Sequence, residues 1–146
     1  MINKILVPVD GSSQSNKALE LACNLADKYH ATLHLQHTVQ TAALDGDRFV
    51  DAADMSLERN DEDILKTGKN VMRAAKRIVD QHHCPTMVTE IALGSPTENI
   101  LRRSKEGDID MIVMGSRGLG DRDGLLLGSV SQQVSHFAEC SCVTVR

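Results

Sequence analysis

Five short, mostly apolar runs divide this chain of 146 residues, and a stretch with helical periodicity separates each run from the next. The runs are KILVPVD, TLHLQHTV, TMVTEIA, IDMIVM and CVTVR, at positions 4–10, 32–39, 86–92, 109–114 and 142–146. Runs of this length that are rich in Val, Ile and Leu are typical of buried strands. Because a helix separates every pair of strands, the sequence predicts an α/β fold with three layers: a five-stranded parallel sheet with helices on both faces.

Four segments carry the apolar spacing and end signals of helices, and we predict helices over 13–29, 64–82, 96–105 and 129–138. The third has the best-defined start, since Ser95 can cap it, Pro96 suits its first position and Glu98 can complete a capping box. Residues 40–56 show no clear period, and they are the one candidate for a mobile insertion.

Composition excludes several classes of function. Aromatic residues make up 2% of the chain and the net charge is −4, so neither a base-stacking surface nor a broad basic footprint for nucleic acid is expected. Charges at Lys4 and Asp10 leave no room for a signal-peptide core, and no apolar run approaches the ~20 residues of a membrane span. We therefore expect one cytoplasmic domain over 1–146, with no nucleic-acid or membrane partner.

Acidic residues and cysteines say less about function. Residues 40–63 hold eight acidic side chains and two arginines. Such a segment is most often a solvated loop, and a partner site is the alternative. The four cysteines include no CxxC pair, so free thiols are expected rather than a zinc or redox motif.

A glycine-rich stretch, GSRGLGDRDGLLLGS at 115–129, joins the fourth predicted strand to the last predicted helix. Such links often bind phosphate at the helix amino terminus, although the glycines alone would also fit a flexible surface loop. A Walker loop is excluded because Asp121 stands where its lysine belongs. A dinucleotide fingerprint is excluded because Asp123 replaces its third glycine, and no GxSxG nucleophile elbow occurs.

The spacing that is present is G-x2-G-x9-G-S, formed by Gly115, Gly118, Gly128 and Ser129. In this the stretch resembles the nucleotide-binding motif of the universal stress protein family, in the branch that binds ATP. The opening KILVPVDGS, the strand DMIVMGS and the closing CVTVR are similar to the same family in the same order, so the resemblance covers the whole chain. It implies a Rossmann-like sheet of strand order 3-2-1-4-5.

That strand order would place the ends of the first and fourth strands side by side where the order reverses, the usual position of a ligand. The resemblance implies that Pro8 and Val9 flank the adenine and ribose, and that Thr38 and Val39 meet the adenine through backbone groups. Asp10 would lie near the phosphates with Mg²⁺, although Asp at such a turn also caps the following helix. The other implied contacts to ribose and phosphates are Met114, Gly115, Arg117, Gly118, Gly128, Ser129, Val130 and Ser131.

The function expected from the resemblance is that of a regulatory module in a stress response, with ATP, ADP or AMP bound. A cyclic dinucleotide also stays open. It further implies a homodimer through strand 142–145 and a regulatory protein partner of unknown identity. No residue has the setting of a general base, so no catalytic residue is predicted. The alternatives are a slow metal-dependent ATP hydrolase, autophosphorylation on a serine such as Ser129, and a nucleotide-free structural partner.

Overall fold

A computed structural model describes residues 1–40, 56–84, 86–119 and 126–146, with the side chains of 56–62 and 64 left undescribed. Nearly all of the predicted insertion at 40–56 and the charged spacer around Asp121 lie outside these ranges. The elements are β1 (Lys4–Pro8), α1 (Ser13–Tyr29), β2 (Thr32–Val39), α2 (Ser56–Asp80), β3 (Thr86–Leu93), α3 (Pro96–Glu106), β4 (Met111–Gly115), α4 (Ser129–Phe137) and β5 (Ser141–Val145).

The five strands form one parallel sheet in the order β3-β2-β1-β4-β5, so the predicted fold class and strand order are confirmed. β1 lies at the centre, with Ile5 opposite Leu33 of β2 on one side and Met111 of β4 on the other. The order of strands reverses between β1 and β4. Their carboxyl ends, Pro8 and Gly115, therefore flank the crevice that α/β sheets offer to ligands.

Two apolar clusters hold the helices against the two faces of the sheet. On one face, α1 and α2 pack on the strands through fully buried side chains such as Leu19, Ile5 and Leu33. On the other, α3 and α4 pack through Ile100 and Val134. Burying each large apolar side chain contributes about 1.5 to 3 kcal/mol, which fixes both helix layers relative to the strand ends.

The structure moves several predicted boundaries by one or two residues: α2 ends at Asp80 rather than 82, α4 ends at Phe137 rather than 138, and β5 spans Ser141–Val145 rather than 142–146. Three further differences have a reason in the sequence or the contacts. β1 ends at Pro8 rather than at position 10, since Asp10 turns into the start of α1. α2 begins at Ser56 rather than near 64, because its first turns are polar and carry no apolar stripe. β4 begins at Met111 rather than at 109, since the Asp110 side chain accepts backbone bonds from the start of β1. No helix within the described ranges has the length and apolar character to cross a membrane.

Candidate functional site

A cavity of about 520 Å³ opens at the carboxyl ends of β1, β2 and β4. It is the size of a small-molecule pocket and lies at the reversal of strand order. Twelve of the thirteen predicted site residues line it, namely Pro8, Val9, Asp10, Thr38, Val39, Met114, Gly115, Arg117, Gly118, Ser129, Val130 and Ser131. The thirteenth, Gly128, is the residue that immediately precedes Ser129 and occupies the N-cap position of α4.

The amino terminus of α4 is one wall of this cavity. Its first helical bond runs from Gln132 N to Gly128 O at 3.0 Å, so the amides of 129, 130 and 131 have no acceptor inside the helix. The starts of α1 and α3 are capped by the hydroxyls of Ser12 and Ser95, whereas Gly128 offers α4 no side-chain cap. α4 thus brings uncapped amides and the positive end of its dipole to the cavity.

Gly128 and Ser131 also close the base of the loop that leads into α4. Gly128 N donates to Ser116 O at 2.6 Å, and the Ser131 hydroxyl donates to the same oxygen at 2.7 Å. The resemblance implies a contact between Ser131 and the ribose or phosphates, whereas the structure shows that its hydroxyl donates to the backbone. The exposed hydroxyl at this helix start is that of Ser129.

Gly115 has a packing role that the sequence did not reveal. A Cβ at this position would lie 2.9 Å from Ser15 N and 3.0 Å from the carbonyl carbon of Gln14. These are backbone atoms of the first turn of α1, so the absent side chain lets α1 approach the end of β4. Gly115 also lines the cavity, so the ligand contact that the resemblance implies for it stays a prediction beside this packing role.

Asp10 contacts both sides of the crevice. Its Oδ1 accepts a bond from Ser12 N at 2.9 Å, which is the turn-capping role, and its Oδ2 accepts one from Leu119 N at 3.2 Å. Its own amide donates to the Ser15 hydroxyl at 3.2 Å. The capping role and a place at the site therefore coexist in one carboxylate.

The wall formed by β2 adds buried polar groups that sequence reasoning missed. His37 is 9% exposed, and its Nδ1 lies 2.7 Å from Val9 O. A carbonyl only accepts, so Nδ1 carries the proton, and in the neutral ring Nε2 is then an acceptor. Gly68 of α2 makes this wall close-packed, because a Cβ there would lie 3.4 Å from the His37 ring and 3.0 Å from Val39.

The other lining residues that were not predicted come from several elements. They are Ser15, Gln36, Gln40, Thr67, Pro96, Ile100 and Leu119. The sequence held a signal for one of them: Pro96 follows the carboxyl end of a strand, as the glycine-rich stretch does. Among the described lining residues, Arg117 carries the one permanent positive charge and Asp10 the one negative charge. The described residues contain no group of three or more His, Cys, Asp or Glu that could hold a metal ion by itself.

The sequence and the structure of this chain are similar to those of known proteins. The model of the universal stress protein family matches residues 1–146. Universal stress protein YxiE of Bacillus subtilis is 35% identical over 156 aligned positions, which cover all of both chains. The structure of universal stress protein UspA from Lactobacillus plantarum matches with a TM-score of 0.85 at 29% identity, covering 99% of this chain and 97% of that one.

Three more distant structures of the same fold contain nucleotides. A universal stress protein in complex with cAMP has a TM-score of 0.73 at 20% identity, covering 99% and 97% of the two chains. The protein from Archaeoglobus fulgidus in complex with dAMP has 0.71 at 17%, covering 100% and 98%. A protein from Arabidopsis thaliana with AMP bound has 0.68 at 19%, covering 98% and 90%. At these identities the likeness shows the shared fold.

Proposed function

The chain belongs to the universal stress protein family, and from that premise we propose that it binds an adenine nucleotide, ATP, ADP or AMP, in the cavity between β1 and β4. Its role is that of a nucleotide-dependent regulatory module in a stress response rather than a metabolic enzyme. Three neighbours of the same fold carry cAMP, dAMP or AMP, which supports the ligand class.

The observation that carries this proposal is the uncapped start of α4 at the cavity wall. Amides without intrahelical acceptors and a positive dipole end favour an anion such as a phosphate. Ser129 and Arg117 line the same cavity, and their side chains are donors of the kinds that phosphate accepts. No Walker lysine is needed for phosphate held in this way.

The cavity also offers a lining that suits a base and ribose. Apolar groups of Pro8, Val9, Val39 and Met114 line it, as a flat purine requires. Val39 O already accepts a bond from Gly94 N at 3.0 Å, and a carbonyl has a second lone pair. That lone pair can accept a hydrogen bond from the exocyclic amine of adenine. This is the backbone contact to adenine that the resemblance implies at the end of β2.

Mg²⁺ would accompany a diphosphate or triphosphate, with Asp10 as its protein ligand. This ion is commonly bound through one or two carboxylates plus substrate phosphates, so a single carboxylate fits it. Each Asp10 oxygen accepts one backbone bond and keeps capacity for another. The cation would offset the repulsion between this carboxylate and the phosphates.

A homodimer through β5 completes the proposed assembly, in the cytoplasm and with a regulatory protein as its further partner. β5 is an edge of the sheet, and its residues Ser141–Val145 are uncharged and half-buried or exposed. An edge strand without a charge or proline is open to pairing with a second copy. A two-fold axis across this edge would pair the strands antiparallel through residues 142–145.

The test of the site is the nucleotide that the purified protein carries. Protein prepared without added nucleotide is denatured, and the released small molecules are identified by chromatography and mass spectrometry. We expect adenine nucleotide near one per chain, absent from a Gly128→Val, Ser129→Val double variant and retained by Ser135→Val, a control on the exposed face of α4. If the wild type is empty and calorimetry with ATP and Mg²⁺ is also silent, a nucleotide-free structural role replaces this proposal.

The exposed Ser129 hydroxyl at the phosphate end of the cavity favours a second candidate, slow autophosphorylation. In that reaction the Ser129 oxygen attacks the γ-phosphorus of ATP, the hydroxyl proton is released to water, and ADP leaves. Incubation with Mg²⁺ and ATP followed by peptide mass spectrometry tests it. Phosphate on Ser129 that is lost in Ser129→Ala supports transfer, whereas free phosphate without a labelled peptide indicates hydrolysis.

A further inference from the structure

The polypeptide that leaves β4 is fixed at its base and again three residues later. Ser116 N donates to Val145 O of β5 at 2.7 Å, and Ser116 O accepts the bond from Gly128. At Leu119 the backbone amide donates to Oδ2 of Asp10 at 3.2 Å, across 109 positions of sequence. We call residues 116–119 the arm. Arg117, the one cation at the cavity wall among the described residues, lies between its two fixed points.

The Asp10 carboxylate can hold the arm because its own orientation is fixed. Oδ1 accepts from Ser12 N at 2.9 Å, inside the turn that starts α1. The Asp10 amide donates to the Ser15 hydroxyl of the same helix. With the first oxygen and the backbone held by α1, the second oxygen faces Leu119.

We propose that Asp10 is a positioning residue: its carboxylate holds the arm against the end of β1 and so keeps Arg117 at the phosphate end of the cavity. This inference rests on the proposed nucleotide site and adds to it. The arm is held with or without a divalent cation, so Asp10 would contribute to binding of AMP, which needs no metal bridge, as well as to binding of Mg²⁺–ATP.

The positioning role and a purely electrostatic effect of Asp10 predict opposite changes in AMP affinity when its charge is removed. A carboxylate near a bound phosphate repels it, so a change that only removed the charge would tighten nucleotide binding. A change that releases the arm would weaken binding, because Arg117 would lose its fixed place. A role limited to metal binding would leave AMP binding without metal unchanged, or make it tighter through the lost repulsion.

Asp10→Asn separates the arm contact from the turn. Asn caps such turns as well as Asp does, so the bond from Ser12 N is kept by the side-chain oxygen. The new NH₂ group then faces the Leu119 amide, and two donors cannot bond. We expect AMP in EDTA to bind roughly two- to tenfold more weakly, the range for net loss of one ordinary hydrogen bond, since the bond from Leu119 is exposed to solvent. Asp80→Asn, the same charge change at the exposed end of α2, should bind as the wild type does.

Amide hydrogen exchange followed by NMR reports on the arm itself. In the ligand-free wild type we expect slowed exchange at both Leu119 and Ser12, and in Asp10→Asn a loss of protection at Leu119 alone. Leu119→Pro removes the donor while Asp10 stays in place, and Leu119→Ala keeps the amide. The alanine variant measures what loss of the lining side chain costs, and the proline variant should weaken AMP binding further. Combining Leu119→Pro with Asp10→Asn should cost no more affinity than Leu119→Pro alone.

The possible results distinguish failure of the positioning role from failure of the proposed function. Unchanged or tighter AMP binding in Asp10→Asn overturns the positioning role, as does weaker binding with Leu119 protection intact, which would indicate direct contact between Asp10 and ligand. An unprotected Leu119 amide in the wild type overturns it as well. A wild type that binds neither AMP nor ATP refutes the proposed function, whatever the exchange rates of the arm.

Discussion

Gly115 is the residue at which the end of β4 meets the first turn of α1. A methyl group there would overlap backbone atoms at 2.9 and 3.0 Å, which have little freedom to move. We expect Gly115→Ala to lower the free energy of unfolding by about 1 to 3 kcal/mol, as overpacking does. Denaturant unfolding without nucleotide measures this. Gly128→Ala, whose backbone is in the extended region that any residue adopts, should cost less, and equal effects would contradict a clash specific to Gly115.

His34 makes stability depend on pH. It is 8% exposed, and its Nδ1 lies 3.1 Å from an Arg103 nitrogen. Arg103 can only donate, so the imidazole must be neutral, and burial together with the charges of Arg103 and Lys4 lowers the pKa of His34, with Glu90 opposing. Unfolded His34 titrates at its ordinary pKa near 6.5 and folded His34 below it, so stability is lost as pH falls below about 6.5.

Urea unfolding between pH 7.5 and 5 measures this dependence in wild type and His34→Gln. We expect the wild type to lose stability over this range and the variant to lose less, since glutamine does not titrate. Asp110 does not confuse the comparison. Backbone bonds from Asn3 and Lys4 lower the pKa of its carboxyl, so its contribution is lost only below about pH 4. Identical slopes for the two proteins would exclude His34 as the cause.

At the scale of elements, the start of α4 couples stability to binding. Gly128 has the extended backbone of a capping residue but no side chain to bond the free amides. Gly128→Asp would supply a carboxylate acceptor and complement the helix dipole, which stabilises a helix by about 0.5 to 1 kcal/mol. The same carboxylate would occupy the place proposed for phosphate. We expect the ligand-free melting temperature to rise while AMP affinity falls at least a hundredfold.

Gly128→Ser separates the two effects, because it caps without adding charge. It should stabilise the helix by less than the aspartate does, about a few tenths of a kcal/mol, and weaken AMP binding less. Calorimetry with AMP and thermal unfolding of the same samples give both quantities. Unaltered AMP binding in Gly128→Asp would show that the phosphates do not lie at the start of α4.

Elements with strong local signals were predicted closely, and contacts between distant elements were not. The start of α3 follows from Ser95 and Pro96, and the strand alternation of β2 matches its observed bounds. The first turns of α2 were missed because polar residues there give no apolar period. The resemblance to universal stress proteins, carried in part by the glycine spacing, named twelve of the residues that line the cavity. The contact between Asp10 and Leu119 depends on how two strand ends are set side by side, which no local pattern encodes.

At the scale of the whole molecule, the sheet has two edges, β3 and β5, and the proposed dimer uses one of them. Thr144 is exposed on β5 and Thr89 is exposed on β3, so the same substitution can be placed at either edge. In an antiparallel pair across a two-fold axis, a charge near the centre of the paired segment lies close to the same charge on the second copy, which is destabilising. Thr144 is near the centre of residues 142–145. We expect Thr144→Glu to raise the dimer dissociation constant at least tenfold, with Thr89→Glu unchanged. Light scattering across a concentration series measures both. A wild type that is monomeric at micromolar concentration would contradict the proposed dimer. A dimer that is disrupted only by Thr89→Glu would show that the interface does not lie at β5.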